Sequence, residues 1–116
     1  MIRLIVPALL LATPVVAATE RYDCGFDRRC DLGAACAADE TAFTLAFTGD
    51  GQLIFGLDGS ELTTLFDPYL RTAAFAWGTE VWQLRFTGDG GGFAVISPDT
   101  GASDEAHVMT MHCDPE

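Results

Sequence analysis

From Phe43 onward, apolar residues recur at every second position in short runs broken by glycine and aspartate. Phe43, Leu45 and Phe47 alternate with Thr44, Ala46 and Thr48, and Leu53, Phe55 and Leu57 repeat the pattern beyond Gly49-Asp50-Gly51. A period of two buries one face of a strand, whereas a helix face needs a period near 3.6. Glycine in the intervening turns supplies the positive φ that tight hairpins demand. Further strands are expected around Ala74 to Trp77, Val81 to Phe86, Phe93 to Ser97 and Ala106 to Cys113. In these, Trp82, Leu84 and Phe86 share one face, as do Met109, Met111 and Cys113. Between Glu61 and Leu70 two patterns compete. Leu62, Leu65, Phe66 and Tyr69 are spaced for a helix behind Ser60 as N-cap, but Thr63 and Thr64 favour a strand and Pro68 would break the helix. A short strand followed by a loop is preferred. The expected fold class is therefore all-β, a small antiparallel meander of six or seven strands forming a barrel or a sandwich. Phe-Thr-Gly-Asp-Gly occurs at 47–51 and again at 86–90, which reads as one hairpin chemistry used twice.

The N-terminus has a different character. Arg3 is the only charge before Glu20, and the apolar run from Leu4 to Val16 ends in Ala17 and Ala18. That is the layout of a cleaved secretory signal peptide, and the run is shorter than the ~20 residues of a spanning helix. Residues 1–18 are thus expected to be removed, leaving a single domain at 19–116 with a Cys-rich segment at 22–40 and the meander at 41–113. Neither lysine nor asparagine occurs in the chain. Their codons are AT-rich, which points to a high-GC bacterial genome and to a Gram-negative periplasm, with secretion beyond the cell as the alternative.

An oxidising compartment gives the four cysteines their meaning. An even number in a short exported chain argues for two disulfides, for which three pairings exist. Cys24 with Cys113 and Cys30 with Cys36 is the preferred set, because the first closes nearly the whole domain and the second staples a Gly/Ala-rich loop. The C-x5-C-x5-C spacing fits neither zinc pairs nor a redox C-x-x-C.

All 17 acidic residues but only five of the six arginines lie beyond residue 18, so the mature net charge is −12. Such a chain repels nucleic acid and anionic membrane surfaces and attracts basic proteins or divalent cations. Candidate catalytic groups are sparse. His107 and His112 are the only histidines; five residues apart on an extended strand, they face opposite ways and cannot both bind one metal unless the strand is bulged. Ser60, Ser97 and Ser103 lie outside any G-x-S-x-G motif. The acidic pairs Asp39-Glu40 and Asp104-Glu105 read as solvated loop charges, because sequence neighbours on a strand diverge where a glycosidase couple must converge. Asp50, Asp58, Asp89 and Asp99 sit in glycine-rich turns without EF-hand spacing. The aromatic set Phe75, Trp77, Trp82 and Phe86 is read as core, since a domain this short needs nearly every large apolar residue it has. No catalytic residue, metal ligand or cofactor is expected.

The Tyr22-x-Cys24 opening, the meander and the cysteine near the C-terminus together resemble the small periplasmic barrels that inhibit C-type lysozyme. That family joins its two end cysteines, which adds a reason for pairing Cys24 with Cys113. The family's inhibitory Ser-Gly-x-x-Tyr loop is absent, and Trp82-Gln83-Leu84-Arg85 stands in place of its Trp-x-x-Gly segment, so no inhibitory residue carries over. The N-terminal cysteine trio with a β-meander and a C-terminal cysteine also resembles small uncharacterised exported proteins of alphaproteobacteria, a likeness that brings no function. The leading expectation is a non-enzymatic exported binding module for a basic protein such as a lysozyme. The alternatives are a small periplasmic hydrolase using His107 or His112, and a structural or envelope-stress protein.

Overall fold

The computed structural model describes residues 19–31, 35–100 and 105–116. The leader at 1–18, most of the loop inside the Cys30–Cys36 staple, and Ser103 and Asp104 lie outside the described residues. Nine strands form one sheet: β1 (Glu20–Asp31), β2 (Cys36–Ala38), β3 (Ala42–Phe47), β4 (Gln52–Leu57), β5 (Ser60–Leu65), β6 (Thr72–Trp77), β7 (Glu80–Phe86), β8 (Gly91–Pro98) and β9 (His107–Pro115). The order around the wall is β5-β4-β3-β1-β9-β8-β7-β6, with β2 paired to β1 off that path, and every ladder is antiparallel. The sheet rolls into a nearly closed barrel. The meander expected from alternation is β3 to β9, seven strands, and the Cys-rich segment adds β1 and β2. Among the described residues there is no helix. The segment after Ser60 is the preferred strand, β5, followed by a turn.

The two chain ends meet in the wall. β1 lies between β3 and β9, and Cys24 stands directly opposite Cys113. Both expected disulfides are present, Cys24–Cys113 and Cys30–Cys36, each between register partners with Cα atoms 4.1 Å apart. Between Phe26 and Arg28 the β1–β9 register shifts, leaving Asp27 as the extra residue of a β-bulge. The bulge reverses the alternation. Cys24 is buried in the core, whereas Cys30 stands opposite Val108, on the face away from the buried Met109. The six-residue step between the two cysteines would otherwise set them on one face. One staple is therefore internal and the other lies on the outer surface.

Phe55 sits at the centre of the barrel with no exposed surface, its ring 4.7 Å from Phe75, 4.9 Å from Trp77 and 5.1 Å from Trp82, centroid to centroid. Gly92 is needed for close approach, because a Cβ there would meet the Arg85 carbonyl at 2.5 Å and Met111 at 2.6 Å. The repeated Thr-Gly-Asp-Gly strings form equivalent loops. Thr48 and Thr87 each donate a hydroxyl to the aspartate two residues on, and their N–H groups donate to the carbonyls of Gln52 (2.9 Å) and Gly91 (3.0 Å). Gly51 and Gly90 close the two loops with φ of 87° and 86°.

Barrel closure is incomplete at one place. β5 and β6 are the ends of the strand order, and between them only Asp67 and Thr72 exchange backbone hydrogen bonds.

Candidate functional site

The aromatic residues singled out by sequence are core. Trp82 and Phe75 are buried, and Trp77 and Phe86 pack on the same cluster. Ser60 opens β5 on the surface and Ser97 lies half-buried at the end of β8. Asp39 accepts the Thr41 N–H at 2.9 Å, while Glu40 and Glu105 are exposed. Asp50 and Asp89 are held inside their own loops by threonine hydroxyls, and Asp58, with φ of 53°, forms a two-residue hairpin turn with Gly59. No group of three or more His, Cys, Asp and Glu able to hold a metal occurs among the described residues. No described helix is long and apolar enough to cross a membrane.

The histidines do face opposite ways, and each has a carboxylate from distant sequence. The bulged Asp27 meets His112 Nδ1 at 2.6 Å, and Asp31, at the end of β1, meets His107 Nδ1 at 2.5 Å. A carboxylate on Nδ1 fixes the ring, the base-and-orienter half of a nucleophilic triad, although the Nε2 edge of His112 lies over Gly25. Neither imidazole is hydrogen-bonded to a serine among the described residues. These pairs tie β1 to β9 along the ladder that closes the barrel.

Asp31 also accepts from Arg29 Nε at 3.0 Å. That hydrogen bond first, and the one from His107 second, hold its carboxyl below the ordinary value. Asp89 is lowered likewise by the Thr87 hydroxyl and the Gly91 N–H, while Glu116 is raised by its contact with Asp23. A lowered carboxyl stabilises the fold above its unfolded pKa, and the contribution is lost as pH falls through the folded value. Glu116 has the opposite sign, since protonation relieves it. Asp31→Asn should therefore lower the melting temperature at neutral pH, and its difference from the parent should shrink as pH falls below the ordinary aspartate value and through the lowered folded one, where the parent carboxyl becomes protonated. Circular-dichroism melts across that range measure it; a difference independent of pH would show that the Asp31 contacts are not linked to protonation.

Two concave places stand out. At one end of the barrel, the repeated loops face each other across a cavity of about 610 Å³. Its floor is a trio of mutually edge-on rings, Phe47, Phe66 and Phe86, with centroids 4.9 to 5.9 Å apart. Arg71 lies at its rim in left-handed backbone (φ 59°), with a guanidinium nitrogen 3.3 Å from where a Gly88 Cβ would stand. The second place is a groove of about 980 Å³ on the outer wall where β5 and β6 fail to pair, lined among others by Leu65, Ala74, Arg85, Phe93 and Val95. Among the described residues the large apolar side chains that remain exposed are Leu65 (75%), Tyr69 (91%), Leu70 (54%), Phe93 (48%) and Val95 (36%), all on β5, its connection to β6, or β8. Apolar exposure gathered in one region, rather than scattered, marks an interaction surface.

Sequence reasoning passed over this region. Phe93-Ala94-Val95-Ile96 is apolar on both faces, so alternation does not reveal which pair looks outward. Burial settles it: Ala94 and Ile96 are inside, Phe93 and Val95 outside. No protein-family profile matches the chain, and neither a curated protein nor a solved structure is similar to it.

Proposed function

We propose that this chain is an exported, acidic β-barrel that acts by binding a basic protein, with C-type lysozyme as the first partner to test. The observation that carries the proposal is the disposition of charge. No acidic residue is buried among the described residues, and their ion pairs engage only Asp27 and Asp31. The remaining carboxylates lie at the surface and give the barrel a negative field, and Asp67 is the one acidic residue that lines the apolar groove, with Arg85 on the same lining. Such a field steers a cationic partner over distances of about a Debye length, near 10 Å at 0.1 M salt, and the apolar patch supplies contact area once the partner arrives. Export is supported by the leader-like N-terminus and by two disulfides, which persist in oxidising compartments. The lysozyme assignment draws on the resemblance in the positions of Tyr22, Cys24 and Cys113.

The purified domain, mixed with C-type lysozyme, should slow bacterial-wall lysis at low salt and slow it less as salt rises, because the attraction is screened. A lytic rate unchanged at low and at moderate salt would refute lysozyme as the partner. Co-purification from the native periplasm would then test the wider class of basic proteins.

A further inference from the structure

The gap between β5 and β6 is an interrupted ladder whose hydrogen-bonding groups face each other unused. In β5, Phe66 N–H donates to Gly51 O, on the β4 side. Backbone groups on an antiparallel strand alternate between its two neighbours, so Leu62 and Thr64 also address β4, and Glu61, Thr63 and Leu65 address the gap. In β6, Thr72 exchanges both of its hydrogen bonds with Asp67 across the gap. By the same alternation Ala74 and Ala76 point their groups toward β5. Continuing the Asp67–Thr72 register would set Leu65 opposite Ala74 and Thr63 opposite Ala76, yet β5 pairs only with β4 and β6 only with β7. In place of a ladder bond, the Ala74 carbonyl accepts the Thr64 hydroxyl at 3.2 Å. The inner side of the gap is lined by Leu62 and Trp77, both left half-buried.

Natural sheets protect such edges with lysine, proline, a bulge or an inward charge. Ser60–Leu65 contains none of these except the outward Glu61, and Thr72–Trp77 contains no charge and no proline. An unprotected pair of edges, flanked outside by exposed Leu65, Phe93 and Val95, is a template for strand addition. The charges along it choose the occupant. At the Ser60/Trp77 end stand Asp58, Glu61 and Glu80, while at the Leu65/Thr72 end Arg85 stands beside Asp67, whose carboxylate is taken up by the Tyr69 and Leu70 N–H groups, among apolar residues.

We propose that the β5–β6 gap binds an extended segment of a basic partner as an added strand, with alternate apolar side chains covering Leu62 and Trp77 and arginine or lysine side chains outward beside Asp58, Glu61 and Glu80. Entry displaces the Thr64 hydroxyl from the Ala74 carbonyl and requires β5 and β6 to part to twice the ~4.8 Å spacing of neighbouring strands, hinged at the Asp67–Thr72 bridge. The added strand runs antiparallel to one edge and parallel to the other, since β5 and β6 are themselves antiparallel. This deepens the basic-protein reading by naming where and in what conformation the partner is held.

The test uses a synthetic ten-residue peptide with valine at alternate positions, arginine between the valines in one half and tyrosine in the other, and a second peptide with glutamate for arginine. Binding is followed by Trp fluorescence, and backbone protection by hydrogen exchange on the intact domain. The arginine peptide should bind and slow exchange of the Glu61, Thr63, Leu65, Ala74 and Ala76 amides, while the glutamate peptide should not bind. Thr63→Pro removes an N–H that the barrel leaves unused and should weaken binding about tenfold, the equivalent of one hydrogen bond with its strand geometry. Leu65→Asp, at an exposed position, is the second variant should the proline disturb folding. Binding without protection at these amides overturns strand addition and leaves the basic-protein reading standing. No binding of the arginine peptide also overturns it, while inhibition of lysozyme would still be open to its own test. Concentration-dependent dimerisation abolished by Thr63→Pro would assign the gap to a second copy of the chain and refute a basic occupant.

Discussion

Removing the Cys24–Cys113 disulfide by Cys24→Ala/Cys113→Ala is expected to destabilise the domain by about 4–5 kcal/mol, against about 2 kcal/mol for Cys30→Ala/Cys36→Ala. The difference follows from loop length. The first bond closes a separation of 89 residues and the second a separation of 6, and the entropy withheld from the unfolded chain grows with the logarithm of the loop. A loss of 4–5 kcal/mol is a large part of the roughly 5–15 kcal/mol that holds a typical domain together. Alanine is the appropriate replacement because Cys24 is 6% exposed, and serine would add a buried hydroxyl. Urea titration of the three proteins measures the effect. The midpoint should fall most for the Cys24/Cys113 variant, and its m-value should rise because the uncrosslinked denatured state exposes more surface. Equal losses for the two double variants would mean that loop closure is not what the long bond contributes, and that the β1–β9 ladder holds the chain ends without it.

Phe55→Ala is expected to cost about 3–5 kcal/mol, the range for deleting a fully buried aromatic side chain. Phe55 has no exposed surface, and it touches rings from three other strands: Phe43 on β3, Phe75 and Trp77 on β6, and Trp82 on β7. Removing it takes away both the transfer free energy and the support of both tryptophans, so near-UV circular dichroism should change along with the unfolding midpoint. Phe93→Ala is the matched control. It deletes the same atoms from the outer face of β8, where Phe93 is 48% exposed, and should change stability by no more than about 0.5 kcal/mol. If the two variants lost similar stability, the assignment of inner and outer faces on β4 and β8 would be wrong.

Most strands from β3 to β9 were legible from apolar alternation and from turns that carry glycine or aspartate; β5 was legible only through Thr63, Thr64 and Pro68, and β8 showed a strand without showing which face looks inward. β1 was not. Its sequence, ERYDCGFDRRCD, holds few large apolar residues, and the bulge at Asp27 changes the phase of burial midway. Besides the local hairpin with β2, it pairs with β3 and β9 across longer sequence separations, which local pattern does not encode. The disulfide pairing was recoverable because loop lengths and the position of Cys113 already favoured it. The Asp27–His112 and Asp31–His107 contacts span 85 and 76 residues and depend on the β1–β9 register, so no spacing rule exposes them. The open edges were invisible for a simpler reason: Thr63, Leu65, Ala74 and Ala76 are ordinary strand residues, and what distinguishes them is that their neighbour in the sheet is missing.

The placement of the short staple has a consequence for the order of events as the chain is made. Cys24, Cys30 and Cys36 lie near the start of the domain and Cys113 near its end, so a chain threaded N-terminus first into an oxidising compartment presents the first three before the partner that Cys24 must await. During that interval the nearest oxidisable neighbour of Cys24 is Cys30, and a bond between them would trap the chain. The β1–β2 hairpin sets Cys30 opposite Cys36 through contacts that are local in sequence, the kind that form fastest. Once those two are joined, the only thiol left for Cys24 is the one that arrives last. Closing the outer staple first would leave Cys24 and Cys113 as the only pair still to be joined, so the long bond would form with a single possible outcome.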